Sequence, residues 1–226
     1  MNGPTIVLGQ TAPSRQKLRP LGLFLAGFFA VWTLWALSLV RYPDLNHWGS
    51  LRLLVRVAVW IGPTFLFVRL VEGPPVLRRL GLTENWKKGV LFGCLGFLAL
   101  AAVIAVRQHS RFSHFALPAD PATWLNAILS APLAEELLFR GLVFRLLLER
   151  LTLWTAVAAS ALLFALIHLP YWWLSGAVPP ATLALRLGSM FAYGVFFALL
   201  YRWSGSLYAP IIVHVLNNLL TSSLGL

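Results

Sequence analysis

Two adjacent glutamates and an arginine interrupt a segment that is otherwise apolar over the length of a membrane-spanning helix. They are Glu135, Glu136 and Arg140, and the segment covers residues 122–147. Each ionised side chain near the centre of a bilayer costs about 2.5–3.5 kcal/mol on an insertion scale, so unpaired charges here would strongly disfavour insertion. The charges therefore predict either pairing within the protein or a polar cavity that serves a function.

The spacing of the three charges divides their roles. Glu136 and Arg140 are four residues apart, on one face of an α-helix with the acid first, which is the favourable order for an ion pair. Glu135 lies about 100° around the helix, so Arg140 does not neutralise it as directly. We therefore expect Arg140 to hold Glu136 while Glu135 stays available for chemistry.

Two later apolar segments carry further polar groups, Phe164-x-x-x-His168 and His214-x-x-x-Asn218. His214 and Asn218 share a helix face and offer hydrogen-bond donors to one point, which suits a developing oxyanion. His168 could help Glu135 to hold a water molecule, and a carboxylate in a low-dielectric site is suited to general-base work. Together these groups suit hydrolysis of a peptide bond without a covalent intermediate.

Each of these residues also has a purely structural interpretation. A lone histidine in a membrane helix is more often a hydrogen-bond partner between helices, and Asn218 can join helices in the same way. We expect Glu136 and Arg140 to be structural in either case, and Arg145 with Glu149 to form an exposed pair of little energetic weight. The functional interpretation is favoured because Glu, two His and Asn coincide on three helices with few other polar groups.

Composition restricts the class of protein. The 226 residues are 59% hydrophobic and 11% charged, whereas soluble globular domains carry about 25% charged residues. The formal charge of +11 does not indicate nucleic-acid binding, because the basic residues lie at the ends of apolar runs, where they set membrane topology. The single cysteine, Cys94, excludes an intrachain disulfide, and its apolar neighbours predict a buried side chain.

Hydropathy predicts an all-α fold, a polytopic membrane bundle of about seven transmembrane helices. Residues 1–14 are expected to form a disordered tail and residues 15–226 a single membrane-embedded domain. Asp120 and Pro121 are expected to cap and open the fourth helix, and Gly62-Pro63 to kink the second. The predicted spans are Leu21–Val40, Leu53–Val68, Gly89–Val106, a fourth that leaves the bilayer around Arg145–Arg150, Leu151–His168 with the linker Tyr171–Pro180 after it, Ala181–Tyr201, and a seventh from Ser206 to Leu226.

The three motifs resemble those of the CAAX-protease and bacteriocin-processing family of intramembrane glutamic endopeptidases, also called the Abi family. Its motifs EExxxR, FxxxH and HxxxN stand here in order, starting at Glu135, Phe164 and His214. The lead-in Ser206-Leu207-Tyr208-Ala209-Pro210 is also similar to the family, and the resemblance covers residues 122–222. Each motif alone is a weak signal, whereas all three in order are a strong one.

The resemblance implies an all-helical membrane protein with a water-filled catalytic cavity inside the bundle. Carried over by position, the resemblance implies that Glu135 is the base and that His168 helps to activate water. It also implies that His214 and Asn218 form the oxyanion hole and that Glu136 and Arg140 support the site. No cofactor is expected. Glu and two His could hold zinc, but no His-Glu-x-x-His helix is present, so metal-free chemistry is favoured.

The expected partners are the lipid bilayer and a membrane-associated protein or peptide substrate, with no nucleic acid. The family processes prenylated CAAX tails, bacteriocin-type leaders and sorting tails, and the sequence does not select among them or define the oligomeric state. The expected location is the bacterial inner membrane, multi-pass, and the excess of basic residues on the N-terminal side predicts an N-terminus inside.

Two functions of other classes are also compatible with a polar core. One is a non-catalytic immunity or scaffold protein of the same fold, which would not require all of Glu135, His168, His214 and Asn218. The other is a small proton-coupled transporter, which predicts broken helices in inverted halves, a symmetry that the sequence lacks.

Overall fold

The computed structural model describes residues 15–225, so the tail expected at residues 1–14 lies outside the described residues, as does Leu226. Within the described part the chain is helical and contains no strand, which confirms the all-α prediction. Its long helices are α1 Arg15–Arg41, α2 Gly49–Glu72, α3 Trp86–Arg107, α4 121–148, α5 Leu153–Ser175, α6 Pro180–Ser204 and α7 Tyr208–Leu224. Shorter helical turns occupy Pro43–His47, Val76–Arg79 and His109–His114.

Five helices in residues 15–225 have the length and apolar composition to cross a membrane: α1, α2, α3, α5 and α6. The chain is an integral, multi-pass membrane protein. The number of seven spans is not confirmed, because α4 carries the charged motif and α7 is only 17 residues long.

Helix α4 lies at the centre of the bundle. Every side chain from Leu137 to Phe144 is buried, so this part of α4 faces protein and not lipid. Helices α2, α5, α6 and α7 pack around it, while α3 packs along α7 and α6 along α5. The charges of α4 are therefore surrounded by groups of the protein that can pair with them.

Helix α4 begins as the sequence predicts. The Asp120 carboxylate accepts hydrogen bonds from the backbone N–H of Ala122 at 3.0 Å and of Thr123 at 3.1 Å, and Pro121 occupies the first turn. The hydrogen bond from Ala122 is the main cause that lowers the pKa of the Asp120 carboxyl. The predicted cap and helix start are confirmed.

Helix α4 then leaves regular α geometry, with wide turns of π type over Trp124–Ser130 and Leu137–Phe144. Pro132 has no N–H and cannot donate to the carbonyl five residues back, the partner expected in such a turn. That carbonyl belongs to Ala127, and the Asn218 side chain of α7 donates to it from Nδ2 at 2.9 Å. A neighbouring helix thus supplies the donor that proline lacks.

The predicted end of the fifth helix at His168 is wrong. After a turn at Ile167 and His168 the chain resumes as Leu169–Ser175, so the start of the predicted linker is helical. Pro170 lies in the first turn of the resumed segment, where no backbone N–H is needed. Trp32 donates from Nε1 to the Ile167 carbonyl at 2.8 Å, which ties α1 to this turn.

The prediction that Cys94 is buried is also wrong, because its side chain is exposed on α3. Helix α3 turns a different face to the bundle, the face that carries Gly89, Gly93 and Gly96. A Cβ added at Gly93 would lie 2.9 Å from the Ile212 Cβ of α7, so these glycines allow close helix packing. The face with Cys94 is left on the outside of the bundle.

A network of charges links α4 to the start of α1 and the end of α2. Arg145 donates from Nη2 to Glu72 Oε1, and its Nη1 lies 3.5 Å from Glu149 Oε1. Arg79 Nη1 lies 3.8 Å from Glu72 Oε2, and Lys17 Nζ lies 3.4 Å from Glu149 Oε2. The expectation of an exposed Arg145–Glu149 pair is wrong, since Arg145 is only 7% exposed.

Candidate active site

The Glu136 carboxylate is fully buried and connects two helices. Its Oε1 accepts a hydrogen bond from Arg140 Nη1 at 3.1 Å, one turn along α4. The same oxygen lies 2.8 Å from His214 Nδ1 on α7. The Arg140 pairing follows the sequence spacing, whereas the His214 contact depends on how α4 and α7 pack and could not be read from that spacing.

Arg140 is fully buried and held by several helices. Besides bonding Glu136, it donates from Nη2 to the Gly194 carbonyl of α6 at 3.2 Å. Its guanidinium carbon lies 4.4 Å from the ring centroid of Phe164 and 5.2 Å from that of Phe197. An acid, a carbonyl and two aromatic faces therefore replace the water that this cation loses.

Phe164 organises the site, a role that sequence reasoning did not assign to it. Its ring lies edge-on to Phe139, His168 and His214, with centroid separations of 5.6, 5.5 and 6.0 Å. It therefore sets the spacing between the two histidines. The sequence signal for this role of Phe164 was its position four residues before His168, which puts both rings on one face of α5.

Glu135 has a different environment from its neighbour Glu136. Its side chain is 15% exposed and lines a cavity of about 460 Å³ together with His168. Among the described residues its ion-pair partner is His214, whose Nε2 lies 3.9 Å from Glu135 Oε2. One carboxylate of the pair is thus committed to Arg140 and the other is open to the cavity.

The ring of His168 is oriented by the backbone of α5. Its Nδ1 lies 3.1 Å from the Phe164 carbonyl, and because a carbonyl can only accept, Nδ1 carries the proton. The neutral ring then offers Nε2 as an acceptor. The ring also packs against Trp172, with centroids 5.1 Å apart. Glu135 and His168 therefore present two proton acceptors to one cavity.

His214 lies behind the two glutamates. Its Nδ1 faces Glu136 and its Nε2 faces Glu135, and its ring stacks on Phe197 at a centroid distance of 4.9 Å. It is not among the residues that line the cavity within the described chain. The structure therefore brings His214 to both carboxylates.

Asn218 forms its side-chain hydrogen bonds with Ala127 and Asn217. Its Nδ2 donates to the Ala127 carbonyl at 2.9 Å, and its Oδ1 accepts from Asn217 Nδ2 at 3.4 Å. Within residues 15–225 it forms no hydrogen bond with Glu135, Glu136 or either histidine of the motifs. One of its two Nδ2 protons remains available.

Helices α1, α2 and α5 supply the remaining walls of the cavity. Four of these side chains are aromatic, namely Trp32, Trp35, Tyr171 and Trp172. Two are arginines of α2, Arg52 and Arg56. Sequence reasoning grouped both arginines with the basic residues at the ends of apolar runs, whereas α2 begins at Gly49 and includes both.

In residues 15–225 no group of three or more His, Cys, Asp or Glu side chains is placed to hold a metal ion. The preference for metal-free chemistry stays a prediction. Chemically, the site offers a carboxylate, an imidazole acceptor and a buried His–Glu pair that can share a proton.

Comparison with known proteins points to one family. Residues 117–220 match the family model described as type II CAAX prenyl endopeptidase Rce1-like. The resemblance to the CAAX proteases is confirmed. CAAX prenyl protease 2 from Arabidopsis thaliana is 28% identical over 174 residues, which are 71% of this chain and 53% of that relative. The chain thus spans about half the length of the curated relative. No solved structure matches it.

The region matched by the CAAX-protease model contains all three motifs, on α4, α5 and α7. It does not contain α1 or α2, which supply the tryptophans Trp32 and Trp35 and the arginines Arg52 and Arg56. The polar motifs are therefore the part that the family model describes, and these two walls of the cavity lie outside it.

Proposed function

We propose that this chain is an intramembrane endopeptidase of the glutamic type, which hydrolyses a peptide bond of a membrane-associated or lipid-anchored protein or peptide. The observation that carries the proposal is the presence of Glu135 and His168 in one cavity among apolar helices. The name of the relative, CAAX prenyl protease 2, and the description of the family model support a prenylated C-terminal tail as the substrate.

In this mechanism Glu135 and His168 hold a water molecule between them. Glu135 takes one proton of the water while Nε2 of His168 accepts a hydrogen bond from the other, so the oxygen attacks the peptide carbonyl. Glu135 forms no hydrogen bond with another described residue, so its carboxylate oxygens are available to take this proton. Protonated Glu135 then gives its proton to the leaving amine, and the carboxylate is restored.

The carbonyl oxygen becomes an oxyanion as the water attacks, so it needs hydrogen-bond donors. One proton lies between His214 Nδ1 and Glu136 Oε1, and with a second proton on Nε2 the histidine becomes a donor on the side of Glu135. Arg140 holds Glu136 in place for this role. The free Nδ2 proton of Asn218 supplies the second donor of the predicted oxyanion hole.

The test is cleavage of a defined peptide by the chain in liposomes. The peptide carries a farnesylated cysteine followed by two aliphatic residues and a C-terminal residue. Glu135→Gln should lower the cleavage rate by about 10²–10⁴-fold, the usual contribution of a general base. Glu84→Gln removes an exposed carboxylate outside the cavity and should leave the rate unchanged. Full activity of Glu135→Gln would rule out Glu135 as the base.

One observation favours a second function, a non-catalytic immunity or scaffold protein of the same fold. Glu136, Arg140, His214 and Asn218 each form a hydrogen bond with a residue of another helix. A scaffold would need these bonds and would not need Glu135 as a base. A Glu135→Gln chain that keeps its full biological effect would favour this function.

A further inference from the structure

Two arginines share the cavity with Glu135 and His168. Arg52 and Arg56 are four residues apart in the regular helical segment Gly49–Arg56, so their side chains leave α2 on the same face. Both are half-buried and both line the cavity. The proposed mechanism uses neither of them.

The two guanidinium groups are anchored differently. Arg56 donates from Nη1 to the Asn126 carbonyl at 2.8 Å and to Ser130 Oγ at 2.7 Å, so α4 holds it in place. Arg52 forms no hydrogen bond or ion pair with another described residue. Arg56 likewise has no carboxylate within ion-pair distance in residues 15–225. Arg52 is therefore free to bind a group that enters the cavity.

The charges on the cavity wall do not balance. Two arginines face one carboxylate, that of Glu135. A cation in a largely apolar cavity is stabilised by an anion, and the guanidinium fork fits a carboxylate with two parallel hydrogen bonds. The aromatic wall, with Trp32, Trp35 and Trp172, suits an apolar body attached to that carboxylate.

We propose that Arg52, with Arg56 beside it, binds a carboxylate of the substrate and so positions the scissile bond at Glu135. The carboxylate is either the α-carboxylate of a chain end or an acidic side chain close to the cleaved bond. Arg52 lies one helical turn, about 6 Å, nearer to the start of α2 than Arg56. This inference deepens the proposed endopeptidase function and rests on it, since it assigns the specificity of that same cavity.

Binding of small fluorescent probes tests the carboxylate site without the need for cleavage. The purified chain in detergent is titrated with N-dansyl-leucine, N-dansyl-leucinamide and the α-amide of N-dansyl-aspartic acid, and energy transfer from tryptophan to dansyl reports binding. The acid should bind about tenfold more tightly than the leucinamide, equivalent to about 1.4 kcal/mol. Tight binding of the aspartic α-amide would identify a side-chain carboxylate as the ligand, and weak binding would identify the chain end.

Variants connect the binding to Arg52. In Arg52→Gln the preference for the acid should fall to within about twofold. Arg186→Gln is the matched control, because Arg186 is exposed on α6 and does not line the cavity. If Arg52→Gln does not fold, Arg52→Lys retains the charge without the fork and should show an intermediate preference. Equal binding of the acid and both amides by the wild-type chain would overturn the proposal, as would an unchanged preference in a folded Arg52 variant.

Failure of this inference is distinguishable from failure of the proposed function. If the chain cleaves the farnesylated peptide but shows no preference for a carboxylate, the endopeptidase function stands and the carboxylate site is refuted. If the carboxylate preference depends on Arg52 but Glu135→Gln loses no activity, the carboxylate site stands. The assignment of Glu135 as the base is then refuted.

Discussion

Glu135 and Glu136 are adjacent in sequence, but their side chains make different contacts. Glu136 is fully buried between Arg140 and His214, whereas Glu135 is 15% exposed and lines the cavity. The helix geometry separates them because consecutive side chains leave a helix about 100° apart. In the proposed mechanism, neighbouring residues therefore carry the structural and the chemical role.

The first prediction compares these two glutamates. Glu136→Gln leaves the buried Arg140 without its carboxylate, which should lower the free energy of unfolding by about 3–5 kcal/mol. Glu135→Gln removes no close ion pair and should unfold at nearly the same temperature as the wild type. Thermal unfolding in detergent, followed by circular dichroism, measures both. Equal losses of stability would contradict the division of roles.

The second prediction concerns Phe164, whose ring lies 4.4 Å from the Arg140 guanidinium. Phe164→Leu should destabilise the protein by about 2 kcal/mol more than Phe144→Leu, because a desolvated cation–π contact is lost as well. Phe144 is a suitable control, since it is fully buried and packs against Tyr201. The free energies of unfolding are measured by titration with sodium dodecyl sulfate. Equal losses in the two variants would show that the cation–π contact contributes nothing.

At the scale of the helices, the site depends on close packing of α5 and α6. A Cβ added at Gly194 would lie 2.8 Å from the Ala161 Cα of α5. The Gly194 carbonyl also accepts the hydrogen bond from Arg140. The distance between these two helices therefore determines where the Arg140 guanidinium lies.

The third prediction tests this packing with two glycines of the same helix. Gly194→Ala should destabilise the protein by about 1–3 kcal/mol, because the added methyl group forces α5 and α6 apart. Gly188→Ala meets no atom within 4 Å, so it should be neutral or stabilising by roughly 0.5–1 kcal/mol. Denaturant unfolding of both variants provides the comparison. The packing argument fails if Gly194→Ala is as stable as Gly188→Ala.

Hydropathy and capping signals predict much of the helical architecture and little of its lateral packing. Apolar runs locate the long helices, and Asp120 with Pro121 marks the start of α4. The contact of Glu136 with His214 brings together residues 78 positions apart, so local spacing does not contain it. The continuation of α5 beyond Pro170 was missed because a proline in a first turn looks, in sequence, like a proline that ends a helix.

At the scale of the whole molecule, the cavity lies toward the end of the bundle opposite the start of α1. Two lining residues show this, since Leu39 is close to the end of α1 and Arg52 is close to the start of α2. Most basic residues near helix ends lie on the other side, with Lys17, Arg78, Arg79, Lys87, Lys88, Arg150 and Arg202 among them. The positive-inside rule predicts that this side is cytoplasmic.

The fourth prediction places the two sides in the cell. In a Cys94→Ser chain, Ala177→Cys lies on the side of the cavity and Thr83→Cys on the side of the N-terminus, both at exposed positions. A membrane-impermeant maleimide added to intact cells should label the cysteine at 177 and not the one at 83. The reverse pattern would contradict an N-terminus inside and would assign the cavity to the cytoplasmic side.

Mapping of protein termini tests, without knowledge of the substrate, the proposal that Glu135 acts as the base in proteolysis. Membranes from cells that carry the wild-type chain or Glu135→Gln are compared by mass spectrometry of new N- and C-termini. We expect a small set of termini, from membrane-associated proteins, that is present with the wild type and absent with the variant. Identical termini in the two samples, with equal amounts of folded protein, would contradict the claim and favour the scaffold function.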